Sequence, residues 1–97
     1  MATFVMLTKY TGNGIRDIKS SPDRIKSARA AIESAGGKLV SYLVTMGQYD
    51  GVAIAEFPND ETAAVLALAT ASQGNVSTET MRAFTEPEFT AIVGKLP

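Results

Sequence analysis

Cysteine and histidine are both absent from this 97-residue sequence. Without them the chain cannot form disulfides, thiolate nucleophiles, imidazole general bases, histidine-ligated haem or ordinary structural zinc sites. Proline is scarce, with four residues, and hydrophobic residues make up 45% of the chain. That composition is typical of a packed globular protein and excludes a disordered or collagen-like one. Most familiar catalytic centres are therefore excluded, and we expect no metal and no cofactor.

The chain also has little excess charge of either sign. Nine Lys and Arg residues oppose ten Asp and Glu residues, so the formal net charge is −1 and no basic patch for nucleic acid is indicated. The N-terminus has no positive region ahead of a long apolar run. The most apolar stretch, Ala63–Ala71, is far shorter than the ~20 residues that span a membrane. We therefore expect a cytoplasmic protein that binds neither nucleic acid nor membranes.

Hydrophobic periodicity predicts four strands and three helices. The strands are Thr3–Tyr10, Lys38–Met46, Gly51–Phe57 and Val76–Thr85; the helices run from Ser21 to a stop at Gly36 and Gly37, from Glu61 to Gln73, and onward from Glu86. The order β, α, β, β, α, β followed by a terminal helix predicts an α+β chain with the ferredoxin-like plan. In that plan an antiparallel four-stranded sheet has both long helices on one face. We expect residues 1–97 to form a single domain.

Local signals predict how each helix begins and which side it buries. Ser21 and Pro22 are typical of a helix start, with the Ser21 hydroxyl as the expected cap, and Thr11–Gly14 is typical of a turn. In the first helix the spacing predicts a buried side of Ile25, Ala28, Ile32 and Ala35, with Arg24, Lys26, Arg29 and Glu33 in water. In the second it predicts a shared side of Ala64, Val65, Leu68 and Ala71 or Ser72. In the terminal helix it predicts a side of Phe89, Ile92, Val93 and Leu96.

The predicted strands are apolar on both sides. In the first strand, Phe4 and Met6 point one way while Val5 and Leu7 point the other. The two long helices can cover only one face of the sheet, so the other face needs a second covering surface. A second copy of the same sheet, packed face to face, would supply it. The sequence therefore predicts a homodimer or higher homo-oligomer with the architecture of a dimeric α/β barrel.

The segment Met46–Pro58 contains Gly47, Tyr49 and Asp50 at the predicted hairpin and resembles the signature of the GYD domain family. Supporting stretches are Ala35–Lys38 and Gly74–Phe84, so the resemblance covers nearly the whole chain. It implies a small ferredoxin-like protein of the dimeric α/β-barrel kind. It implies no particular reaction.

Tyr49, Asp50 and Arg82 are the candidate catalytic residues. The Tyr49 hydroxyl and the Asp50 carboxylate could act as acid and base towards a ligand, or Asp50 could bond nearby amides while Tyr49 packs as an anchor. Arg82 is the only cation in the interior of a predicted strand, away from its ends, and a buried guanidinium must be paired or bind an anion. Its pairing alternative is a salt bridge with Glu56, with Glu79 or with a carboxylate of a partner subunit.

Tyr10, Tyr42 and Thr8 could line the same face of the sheet, or the tyrosines could simply pack there. The predicted ligand-binding set is Tyr10, Tyr42, Tyr49, Asp50 and Arg82. Three functions remain open at this point. The first is a small-molecule-binding or oligomerisation domain, with the ligand between or beside two sheets. The others are a cofactor-independent monooxygenase-like or isomerase-like enzyme, and a purely structural partner-binding subunit.

Overall fold

A computed structural model describes residues Met1–Pro97. Its elements are β1 (Ala2–Tyr10), α1 (Gly12–Arg16), a 3-10 turn (Ile18–Ser20), α2 (Ser21–Ser34), β2 (Lys38–Val44), β3 (Gly51–Phe57), α3 (Asp60–Ser72), β4 (Val76–Ala83) and α4 (Glu86–Val93). The sheet has the order β2-β3-β1-β4, and every neighbouring pair of strands is antiparallel. The α+β class and the ferredoxin-like plan are therefore confirmed.

One face of the sheet, which we call the helix face, forms the core together with α2 and α3. On this face β1 contributes Phe4 and Met6, and β3 contributes Ala53, Ala55 and Phe57; all five are buried. The rings of Phe4 and Phe57 pack edge to face with centroids 5.6 Å apart. Ile32 of α2 and Ala63 of α3 complete the buried cluster. The core thus lies entirely on one side of the sheet.

The opposite side of the sheet, which we call the open face, carries Val5, Leu7, Leu43, Val52, Ile54 and Met81. Leu43 is 59% exposed there and Met81 is 43% exposed. The terminal helix α4 does not bury itself against the sheet, because none of its residues is buried and Phe89 is 61% exposed. Within one copy of the chain, the open face therefore has no helical layer over it.

A β-bulge in β2 overturns the strict alternation of side chains that a regular strand over Lys38–Met46 predicts. Leu39 pairs with Ala55 and Ser41 pairs with the next residue, Ile54, so Val40 has no partner of its own. Beyond this extra residue the strand changes phase, which places Tyr42 on the helix face with Leu39. Strict alternation would have placed Leu39 and Tyr42 on opposite faces of the sheet. The bulge therefore decides where the Tyr42 hydroxyl points.

The helices depart from expectation at three places. Thr11–Gly14 is not a simple turn: the Thr11 hydroxyl accepts from the Gly14 N–H and caps α1. Ser21 is the first residue of α2 and not its cap. In α3 the inward side is Ala63, Leu66, Ala67 and Thr70, while Val65 and Leu68 are exposed, so the predicted side is wrong. The two sides of an alanine-rich helix differ little in hydrophobicity, so packing against the sheet determines which side is buried.

Candidate functional site

A cavity of about 170 Å³ lies between α2, α3 and the helix face of the sheet. It exists because α2 and α3 barely touch each other and so do not seal the core between them. Its inner end is apolar, lined by Met6, Ile32, Leu39, Ala53 and Leu66. Its other end is polar, lined by Thr8, Tyr10, Ser21, Arg24 and Tyr42. An apolar pocket with a few convergent polar groups is the usual form of a small-molecule site.

Two hydroxyl groups meet at the polar end, beside a strand position that has no side chain. Thr8 is 9% exposed, and its Oγ1 is buried without a hydrogen-bond partner. Gly51 pairs with Thr8 across the sheet. A Cβ atom at Gly51 would lie only 2.6 Å from Thr8 Oγ1 and 2.6 Å from the Tyr42 hydroxyl oxygen. Glycine at this position therefore leaves the space that the two hydroxyls occupy.

Tyr42 is a neutral hydrogen-bonding group in this setting. Burial raises the pKa of its phenol above the ordinary value, and the neighbouring Thr8 hydroxyl opposes that rise. Removing a phenolate from water is unfavourable, so the phenol keeps its proton well above neutral pH. Tyr42 can therefore donate a hydrogen bond into the cavity.

Arg24 is the only charged side chain that lines the cavity. Its guanidinium Nη1 donates to the Asp17 carbonyl oxygen at 3.0 Å and lies 3.6 Å from the Asp17 carboxylate, while Nη2 lies 3.4 Å from the Gly14 carbonyl oxygen. The side chain is only 20% exposed, so the prediction that it lies in water is wrong. The sequence feature that could have predicted this burial is the four-residue spacing between Arg24 and Ala28, which puts Arg24 beside the buried side of α2.

Tyr10 lines the cavity, and Asp50 supports it from behind. The Tyr10 hydroxyl lies 3.4 Å from Ser21 Oγ, and the Tyr10 N–H donates to Asp50 Oδ2 at 2.8 Å. The Asp50 N–H donates to the Thr8 carbonyl oxygen at 2.8 Å. The Asp50 carboxylate thus joins the β2–β3 connection to the end of β1. It does not line the cavity.

Tyr49 lies elsewhere, next to the end of the open face. Its hydroxyl donates to Glu79 Oε2 at 2.5 Å, and Lys9 Nζ lies 5.7 Å from the centroid of its ring. The hydrogen bond to Glu79 raises the pKa of the Tyr49 phenol. Gly47, with φ at 145°, turns the chain just before this residue. Tyr49 and the cavity are therefore separate features.

Arg82 lies within the edge strand β4, as predicted, but its side chain is exposed, so the expectation of a buried guanidinium is wrong. Its guanidinium carbon lies 4.5 Å from the Phe84 ring centroid and 5.7 Å from that of Phe4. It donates to the carbonyl oxygen of Thr3 at 3.3 Å and to that of Ala83. Stacking on aromatic rings together with hydrogen bonds to backbone carbonyls, and not a salt bridge to Glu56 or Glu79, holds the side chain.

The five predicted ligand-binding residues thus do not form one site. Tyr10 and Tyr42 line the cavity, Asp50 supports it, and Tyr49 and Arg82 lie apart. Sequence reasoning missed Arg24 as a cavity residue and placed the pocket between or beside two sheets. No group of three His, Cys, Asp or Glu side chains is close enough to hold a metal ion. No helix combines the length and apolar character needed to cross a membrane.

Comparison with known proteins places the chain among its relatives. A model of the GYD domain matches residues 4–93. A Thermus thermophilus protein described as "Glutamine synthetase and cystathionine beta-lyase binding protein" is 33% identical over 84 residues, covering 86% of this chain and 88% of that protein. The crystal structure of TTHA0845 from Thermus thermophilus matches with a TM-score of 0.56 and 23% identity, covering 88% of this chain and 95% of that one. The structural match shows a shared fold, and the family model spans almost all of the sequence: the chain belongs to the GYD domain family.

Proposed function

We propose that this protein is a binding protein that assembles as a homodimer through the open face of its sheet. The observation that supports it is an excess of exposed surface. The single chain exposes 6332 Å², whereas a folded monomer of this mass exposes about 5,300 Å². The excess of about 1,000 Å² is close to the ~800 Å² that each partner buries in a standard interface.

The open face is the surface best suited to that assembly. Its central strands β1 and β3 present Val5, Leu7, Val52 and Ile54, and its edge strands add the exposed side chains of Leu43 and Met81. Charges of both signs stand on the same face, with Lys38 paired opposite Glu56. A two-fold interface joins a surface to itself, so mixed charges around an apolar centre allow the two copies to match. The proposed arrangement is the face-to-face packing of a dimeric α/β barrel.

Size-exclusion chromatography with light scattering tests the dimer through two matched variants. Leu43→Glu puts a charge on the open face, whereas Leu68→Glu puts the same charge on the outer side of α3, where Leu68 is 70% exposed. We expect the wild type and Leu68→Glu to elute as dimers and Leu43→Glu to shift to a monomer at micromolar concentration. A monomeric wild type, or a dimeric Leu43→Glu variant, would contradict the proposal.

We further propose that the assembled protein binds partner proteins. The Thermus relative is named for binding glutamine synthetase and cystathionine beta-lyase, and this supports partner binding by a family member of similar length. Biolayer interferometry should detect binding of one or both of these enzymes, purified from the same source as this chain, and no binding of an unrelated enzyme of similar charge. No binding to either enzyme would remove these partners from the proposal.

Binding describes the arrangement better than catalysis does. A catalytic site needs its groups within hydrogen-bond reach of one reacting position. Tyr49 bonds Glu79, Asp50 bonds the backbone of Tyr10, and Arg82 stacks on Phe84. The three candidate catalytic residues thus face three different surroundings, and they do not form the convergent set that the enzyme alternative requires.

We propose small-molecule binding as a second role, because the cavity between α2 and α3 supplies a specific place for it. The cavity is amphipathic and contains a buried hydroxyl without a partner. A buried polar group without a partner is unfavourable unless a ligand or water satisfies it. Protein NMR with small aromatic probes tests this role.

A further inference from the structure

We propose that the cavity between α2, α3 and the helix face binds a small organic monocarboxylate with one ring or branched apolar chain, its carboxylate facing Arg24, Tyr42 and Thr8. The inference deepens the small-molecule role proposed above and rests on it. Three properties of the cavity support this chemical class: its charge, its polarity along its length, and its size.

The charge of the cavity favours an anion. Arg24 is the only charged residue in the lining, and no carboxylate lines the cavity. The Asp17 carboxylate reaches the guanidinium only at 3.6 Å, and its side chain is 65% exposed. Arg24 can therefore accept a second, buried carboxylate partner, since a guanidinium has five donors and binds carboxylates in a fork geometry.

The polar groups are arranged along one direction, which orients the ligand. Alternate residues of β1 pass from Met6 at the apolar end through Thr8 to Tyr10 at the polar end. Thr8 and Tyr42 line the same cavity as Arg24, and each has a neutral hydroxyl that can donate to a carboxylate there. The first turn of α2 also reaches this end through Ser21, and a helix N-terminus favours negative charge. The apolar part of the ligand then faces Met6 and Ile32.

The size of the cavity limits the ligand to roughly one ring. A cavity of about 150 Å³ lined by aliphatic and aromatic side chains is known to accept benzene. The present cavity of about 170 Å³ therefore has room for one ring or a branched chain of similar size with one carboxylate group. A dicarboxylate would leave its second charge among apolar side chains, which is strongly unfavourable.

Benzoate, benzamide and toluene are suitable probes, because the first two have the same shape and differ in charge. Proton–nitrogen correlation spectra would follow the amides of Thr8, Tyr42 and Ala53 during titration of the full-length protein. We expect benzoate to shift these amides and to bind about tenfold more tightly than benzamide, as a charge-assisted hydrogen bond predicts. Toluene should bind weakly at the apolar end.

Two pairs of variants assign the binding to the cavity. Arg24→Gln should remove the preference for benzoate, whereas Arg29→Gln, an exposed arginine on the same helix, should retain it. Ala31→Phe should block the cavity, because Ala31 lines it, whereas the neighbouring Ala30→Phe should not. Thermal unfolding of each variant shows whether it remains folded, and the Ala31 pair provides the test if Arg24→Gln does not fold.

The results distinguish the carboxylate ligand class from small-molecule binding by the cavity in general. If toluene or benzamide shifts the cavity amides as strongly as benzoate does, small-molecule binding stands and the carboxylate class is wrong. If no probe shifts these amides, both are wrong. If benzoate binds Ala31→Phe as tightly as the wild type, the binding lies outside the cavity and the inference is overturned.

Discussion

Gly51 is the single residue on which the polar end of the cavity depends most directly. Its missing side chain leaves room for the hydroxyls of Thr8 and Tyr42, each 2.6 Å from where a Cβ atom would stand. We expect Gly51→Ala to lower the free energy of unfolding by about 1–3 kcal/mol, because overpacking a buried site forces its neighbours to move. Urea denaturation measures the change.

Gly12→Ala is the matched control for that substitution. Gly12 begins α1, and the nearest atom to its added Cβ is the flexible tip of Arg16 at 3.6 Å. Alanine has the higher helix propensity, so we expect this variant to be as stable as the wild type or slightly more so. Equal destabilisation by the two substitutions would show that lack of space beside Gly51 is not what requires glycine at this position.

At the scale of elements, α4 is a helix held chiefly by its own N-terminal cap. The Thr85 hydroxyl accepts from the Glu88 N–H, and the Glu88 carboxylate accepts from the Thr85 N–H at 2.8 Å. That backbone hydrogen bond lowers the pKa of Glu88. The carboxylate therefore stabilises the helix above the ordinary carboxyl pKa, and the stabilisation is lost as the pH falls through the lowered value.

We therefore expect the helicity of residues 86–93 to fall as the pH is lowered from 7 to 3. Carbon-13 Cα chemical shifts follow the helix directly. Glu88→Gln keeps a hydrogen-bonding group in the capping box and has no charge to titrate. The helicity of this variant should therefore change much less with pH. Glu86→Gln, in the same first turn, should retain the pH dependence. An unchanged pH profile in Glu88→Gln would rule out the cap as its source.

The elements also show where local pattern predicts structure well and where it does not. The side of α2 formed by Ile25, Ala28 and Ile32 was predicted correctly, because the charged residues Lys26, Arg29 and Glu33 mark its opposite side; Arg24 is the exception. The side of α3 was predicted wrongly: Val65 and Leu68 lie in water. The reason is that alanines occur on every side of this helix, so its sequence does not mark the buried side. The β-bulge at Val40 has no local sequence signal, since it reflects how β2 must pair with β3.

At the scale of the whole molecule, the single chain is extended and leaves much apolar surface uncovered. Its radius of gyration is 14.6 Å, compared with about 12.5 Å for a compact domain of the same length. If a homodimer covers that surface, association and folding are linked. We then expect the unfolding temperature to rise with protein concentration between about 1 and 100 μM, as mass action requires.

Differential scanning fluorimetry across that range of concentrations measures the effect. Leu68→Glu should keep the concentration dependence, because it leaves the open face intact. Leu43→Glu should unfold at a lower temperature that no longer depends on concentration. A wild-type unfolding temperature that is constant over the range would contradict a dimer linked to folding.

The sequence by itself determined the order of the four strands and of the three longer helices, the ferredoxin-like plan and the family, because these follow from local periodicity, turn residues and the motif around Gly47. Only the tertiary structure decided where the candidate site lies. Thr8, Arg24, Tyr42 and Gly51 come from four segments, and a bulge, a strand register and the gap between two helices bring them together. Each of these depends on packing between residues distant in the chain, which no local pattern records.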